Sequence, residues 1–141
     1  MKNKTNQSEL TDDEVMAIIC THDLNWKIAW REEGINYLTI ASIGHELVVD
    51  VSKNRNKERL LAVLATIENL LVNPNQDTIN LIGAGLFEAM QNNVLDYFNS
   101  NEMDILDSYL GEKSLKLWKD IIEGWHGSGI RTMQQVYDSL D

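Results

Sequence analysis

Apolar residues recur at three- and four-residue intervals along nearly all of this chain, and a single proline, Pro74, interrupts it. That spacing is the pitch of an α-helix seen from one side, so the chain is restricted to helices that each bury one face. In "LTDDEVMAIICTHD", Thr11 and Glu14 have the spacing of a capping box and Val15, Ile18 and Ile19 follow at core spacing, which predicts a helix from Asp12 to Thr21. Trp26 and Trp30 lie four apart in a short second helix that Gly34 ends. From Ile35 to Val51, residues Tyr37, Ile40, Ala41, Gly44, Leu47, Val48 and Val51 share one helical face, although the β-branched content leaves a strand open. "SKNRNKER" is a polar turn. Leu60, Leu61, Leu64, Ile67, Leu70 and Leu71 then form a helix that "VNPN" must stop, because the residue before a proline is pushed out of the helical region.

A long helix is predicted from Gln76 to Phe98, with Ile79, Ile82, Leu86, Phe87, Met90 and Val94 inward and with Gly83 and Gly85 allowing a neighbouring helix to approach closely. "NSNEMDILDSYLG" follows, closed by Gly111 as a C-terminal cap. In "EKSLKLWKDIIEGW", Leu115, Trp118, Ile121, Ile122 and Trp125 share a face, and a last helix carries Ile130, Met133, Val136, Tyr137 and Leu140. The fold class is therefore all-α: about eight helices in a compact bundle or in a short solenoid-like stack of antiparallel helix pairs. Residues 1–141 read as one helical domain, with 1–10 a flexible N-terminal tail. "INYLTIASI" at 35 and "INLIGAGLF" at 79 align at a shift of 44 residues, within the range of two-helix repeats.

No apolar run approaches the roughly 18 residues that a membrane span needs, and the polar start "MKNKTNQSELTDDE" has no apolar signal core, so a cytoplasmic protein without membrane contact is expected. Cys20 is the only cysteine; it cannot form an internal disulfide and is expected to pack as a small buried hydrophobe.

Charge separates the chain into unlike parts. Its 22 acidic and 12 basic residues give a formal net charge of −10, which disfavours direct nucleic-acid binding, since that requires Lys and Arg against phosphates. Between Arg59 and Lys113 there is no Lys or Arg at all, yet Glu68, Asp77, Glu88, Asp96, Glu102, Asp104, Asp107 and Glu112 fall there. Such a block points either to a solubilising surface or to a basic protein partner. Glu88, Asn92, Asp96 and Asn99 recur at three- and four-residue spacing opposite Leu86, Met90 and Val94, forming a polar stripe. Asp104 and Asp107 lie just beyond, with Tyr97 and Tyr109 near them in sequence. Tyrosines ringed by acids suit an interface with a basic protein, the rings giving contact area and the carboxylates steering and charge-assisted hydrogen bonds. The candidate partner-binding set is Glu88, Asn92, Asp96, Tyr97, Asp104, Asp107 and Tyr109.

Motifs of catalysis each lack a specific residue. "GHELVV" begins like a zinc-protease motif, but Val49 stands where the second histidine belongs. Cys20 and His22 are two apart, a spacing that sends side chains to different helical faces, and no second cysteine completes a metal site. "GWHGSGIR" at 124 lacks the glycines two before and two after Ser128 of a hydrolase elbow, and the terminal Lys of a phosphate loop; "GAGLFE" at 83 follows no strand. The first of these reads as a helix joint, with Ser128 capping the next helix. No catalytic residue, cofactor or metal is expected, and a small enzyme using His126 with a carboxylate stays open as an alternative.

"PNQDTINLIGAGLFEAMQNN", followed by "YLGEKSLKLWKDIIEGWHG", resembles a group of bacterial proteins of toxin and immunity loci, among them immunity proteins of contact-dependent growth inhibition. The likeness spans about residues 60 to 130. It implies a protein that binds the toxic domain of a cognate toxin, a ribonuclease or deoxyribonuclease among the candidates, and blocks it stoichiometrically. The 44-residue echo keeps a second possibility open, an α-solenoid-like adaptor for a peptide or regulatory protein.

Overall fold

The computed structural model describes residues 9–124, and among them the chain is all-α, with seven helices and no strand. Helix α1 is Asp12–Cys20, α2 Leu24–Glu33, α3 Asn36–Ser52 and α4 Lys57–Leu70. Helix α5 is continuous but composite: an α-helical turn, Gln76–Asn80, a π-helical run, Leu81–Phe87, and an α-helical stretch, Glu88–Tyr97. Helices α6, Ser100–Tyr109, and α7, Glu112–Gly124, complete the set. The expected eighth helix, from Ile130 to Leu140, and the "GWHGSGIR" joint with Trp125, His126, Ser128 and Arg131 lie outside the described residues beyond Gly124, as does the expected tail up to position 8. Leu10, assigned to that tail, packs against the core, and its carbonyl accepts a hydrogen bond from Asn75.

The helix ends follow local chemistry. Thr11 Oγ accepts from the Glu14 N–H while Glu14 accepts from the Thr11 N–H, closing the capping box on α1. Asp23 caps α2, whose far end turns at Gly34 with φ +68°, a conformation that costs glycine little. Of residues 35–51, for which a strand remains open in the sequence, 36–51 are helical within α3 and Ile35 is its extended N-cap. Asn99, assigned to the polar stripe, instead caps α6 in a second capping box with Glu102.

Gly111 corrects the sequence reading. Its φ is not positive, and the helix before it ends on the extended Leu110. Its lack of a side chain serves another helix: a Cβ there would run into the Glu68 carboxylate. Glu68 reaches across from α4 to accept hydrogen bonds from the Lys113 N–H at 3.0 Å, the Ser114 N–H at 2.9 Å and the Ser114 hydroxyl at 2.9 Å. The N-terminus of α7 is thus capped from a distant element.

Helices α3 and α5 run parallel. Gly44 sits against Leu86 and Met90, His45 bonds Asn93, and the Ser52 hydroxyl bonds the Tyr97 carbonyl, the last two pairs 48 and 45 residues apart in sequence. The segments related by the 44-residue echo are therefore neighbours. Gly83 and Gly85, two apart, look to opposite sides of α5: a Cβ on Gly85 would stand 2.8 Å from Ile40 Cγ2 of α3, and one on Gly83 3.2 Å from Ile121 Cδ1 of α7. Helix α5 is gripped on both sides, as the glycine pattern predicts. In the π-helical run only Ala84 is exposed, and the Glu88 N–H closes it on the Gly83 carbonyl, five residues back. Phe87 and Trp118, both fully buried, meet edge to face at 5.5 Å. Cys20 is buried in the same core. No helix among the described residues is long and apolar enough to cross a membrane.

Candidate functional site

The sequence-predicted partner residues separate into two sets. Glu88, Asn92 and Asp96 share the outward face of α5 with Leu95, whose side chain is also exposed; Glu88 is half-buried and the others are open to solvent. Asp104 is exposed on α6. The tyrosines do not flank these acids as free anchors. Tyr97 turns toward α3, its ring edge-on to His45 at 5.5 Å, and Tyr109 lies beneath the Lys57 ammonium at 5.6 Å from its ring centre. Both are partly buried against the core.

Asp107 is half-buried, and its Oδ1 has no hydrogen-bond partner among the described residues. Burial raises its carboxyl above the ordinary value; Lys119 opposes the rise and Asp104 adds to it. Glu68 behaves oppositely. Burial alone would raise it, but the hydrogen bonds from Lys113 and Ser114 together hold it below its ordinary value. Of the eight acids in the cation-free block, Glu68 and Glu102 are thus engaged as helix caps.

Between the α3–α4 turn and α6 lies a cleft of about 310 Å³, at the lower end of ligand-sized pockets. Asp50, Asn54 and Lys57 form one wall and Asn101, Glu102 and Tyr109 the other, over an apolar floor that includes Leu60 and Ile105. Asp50 has no exposed side-chain area. Three donors meet it in its buried position: Arg59 at 2.6 Å, Arg55 at 3.1 Å and the Asn56 amide at 3.2 Å. Arg59 continues to Asp23 at 2.5 Å and Glu46 at 3.5 Å, and its guanidinium lies 4.8 Å from the Trp26 ring centre. Trp26 in turn donates to Glu46. One arginine therefore ties the α1–α2 turn, α2, α3 and α4 together behind the cleft.

Sequence reading missed this network. A signal was present, since Asp50 stands inside the apolar run "LVVDV" and an acid there must find a donor, but its partner comes from beyond a turn, where periodicity is silent. The cleft carboxylates are already engaged, Asp50 by Arg55, Asn56 and Arg59, and Glu102 by the Asn99 N–H. What remains for an incoming molecule is the two asparagine amides, the Lys57 ammonium and the Tyr109 phenol: groups suited to holding polar surface.

Residues 17–126 match the family model described as "Domain of unknown function (DUF7674)", and the chain belongs to that family. No curated protein and no solved structure matches it.

Proposed function

We propose that this member of the DUF7674 family is an immunity protein that binds a cognate toxin domain one to one and neutralises it by covering its active site or the surface beside it. The observation that carries the reading is the exposed acid of α5 and α6, with Asp96 and Asp104 open to solvent in a stretch free of Lys and Arg from 60 to 112. A nuclease must collect positive charge where it holds phosphates, and carboxylates on a rigid helical face are complementary to that surface. Occlusion makes and breaks no covalent bond, and the protein is not consumed. On this reading it works in the cytoplasm, with no direct contact to nucleic acid or membrane. The likeness of residues 60 to 130 to immunity proteins supports the same role.

The purified protein mixed with the toxin domain encoded by its neighbouring gene should elute as a one-to-one complex. Failure to bind any neighbour-encoded protein would reject the reading. An α-solenoid-like adaptor is the second reading, favoured by the parallel, sequence-echoing pair α3 and α5. An adaptor would retain a short peptide of its partner as tightly as the whole partner, whereas an immunity protein needs the folded toxin domain.

A further inference from the structure

The cleft between the α3–α4 turn and α6, about 310 Å³, is lined by three charged side chains, Asp50, Lys57 and Glu102. Asp50 is met by Arg55 and Arg59. That leaves one charge of each sign, Lys57 on one wall and Glu102 on the other, and among the described residues neither belongs to an ion pair. The other charged side chains of these segments, Lys53 and Glu58 on one side and Asp104 and Asp107 on the other, do not line the cleft. The two poles are also held apart. The Lys57 ammonium lies over the Tyr109 ring, while Glu102 Oε1 accepts from the Asn99 N–H at the start of α6, a bond that fixes the carboxylate and leaves its charge in place. Glu102 and Tyr109 stand two turns apart on α6, about 10 Å along the helix, with Ile105 of the apolar floor between them.

We propose that this cleft binds a dipeptide with free ends and apolar side chains. The carboxylate of the dipeptide meets the Lys57 ammonium and the Tyr109 phenol. Its ammonium lies at the Glu102 end, where the Asn101 carbonyl oxygen accepts from it and the Glu102 charge favours a cation. The Asn54 amide, which both donates and accepts, takes the internal peptide unit, and an apolar side chain covers Leu60 and Ile105. Two residues fully extended span about 7 Å, and a charge-assisted hydrogen bond at each end adds roughly 3 Å, enough to bridge the poles. A single amino acid carries both charges on one carbon and reaches only one of them. A ligand with one charge faces repulsion at the opposite pole, an anion from Glu102 and a cation from Lys57. The proposal uses none of the exposed acids Glu88, Asp96 and Asp104 and needs no toxin, so it stands or falls apart from the immunity reading.

Titration of the isotope-labelled full chain with alanyl-leucine, to about 10 mM, tests it by nuclear magnetic resonance. The backbone amide signals of Asn54, Lys57, Asn101 and Glu102 should move together and saturate. N-acetyl-alanyl-leucine, alanyl-leucinamide and leucine itself should each bind at least about tenfold more weakly. Lys57→Gln should erase the preference for the free carboxylate over the amide. Glu102→Gln, which keeps an acceptor for the capping box, should erase the preference for the free amine over the acetylated form. Absence of a saturable shift at the cleft overturns the proposal, as does equal affinity for the blocked peptides or for leucine, or a charge preference that survives its substitution.

Discussion

Asp50 shows how one residue can hold a fold that its own helix does not require. Its carboxylate is wholly buried and has three donors, so deleting it would leave the Asn56 amide and one arm of the Arg59 guanidinium without their acceptor, while Asp23 and Glu46 still meet that arginine. Asp50→Ala is expected to cost about 2–3 kcal/mol, read as a lower urea midpoint at unchanged m-value. Arg55→Ala should cost about 1 kcal/mol or less, because Arg55 is the exposed half of its pair and Arg59 still meets the acid. Equal losses in the two variants would mean that Arg59 is not the principal partner. Glu68 and Asp107 should respond to pH with opposite sign. Glu68 is held below its ordinary value of 4.5 in the folded state, so its contribution is present above that pH and is lost as pH falls through the lowered folded value. Asp107 is raised above its ordinary 3.8, so the folded state loses stability as pH climbs from there through the raised value. Asp107→Asn should accordingly stabilise the protein at pH 7 and give no such gain well below pH 3.8, whereas Glu68→Gln should destabilise it at pH 7. Urea midpoints measured at both pH values check the pair.

At the scale of elements, α5 carries the packing, and its glycines limit what can replace them. Gly85→Ala places a methyl group 2.8 Å from Ile40 Cγ2, a branch fixed close to the α3 backbone, and should cost about 1–3 kcal/mol in a thermal or urea melt. Ala84→Ser, on the same run but exposed, should be nearly neutral. The glycines and their role were legible in the sequence because a small residue inside an apolar helical stripe has few other uses. Helices such as α1 and α4 were legible because each buries one face and leaves caps or breakers at its ends. The π-helical run was not, since a segment buried on nearly every side has no periodicity to betray a changed pitch. Gly111 misled because a glycine after a helix usually turns left-handed, whereas here the constraint comes from Glu68 of α4. Periodicity correctly put the acids of α5 outward but misplaced Asn99, whose true role as a cap depends on where the chain leaves the helix. It did not place Tyr97 and Tyr109, named as partner anchors, against His45 of α3 and Lys57 of α4, since those contacts come from elements distant in sequence.

Over the whole molecule, the uneven distribution of charge separates occlusion from a merely soluble surface. Charge reversal at Glu88, Asp96 and Asp104 should slow association with the toxin domain more than it speeds dissociation, and should flatten the dependence of the association rate on salt. Stopped-flow binding at several ionic strengths reads both effects, and unchanged rates in all three variants would reduce the acid face to a solubilising surface. Stoichiometry tests the central claim most directly. Toxin activity titrated with this protein should decline in proportion to the amount added and vanish at one equivalent; complete protection by a small fraction of an equivalent would contradict occlusion and mean that the protein turns over.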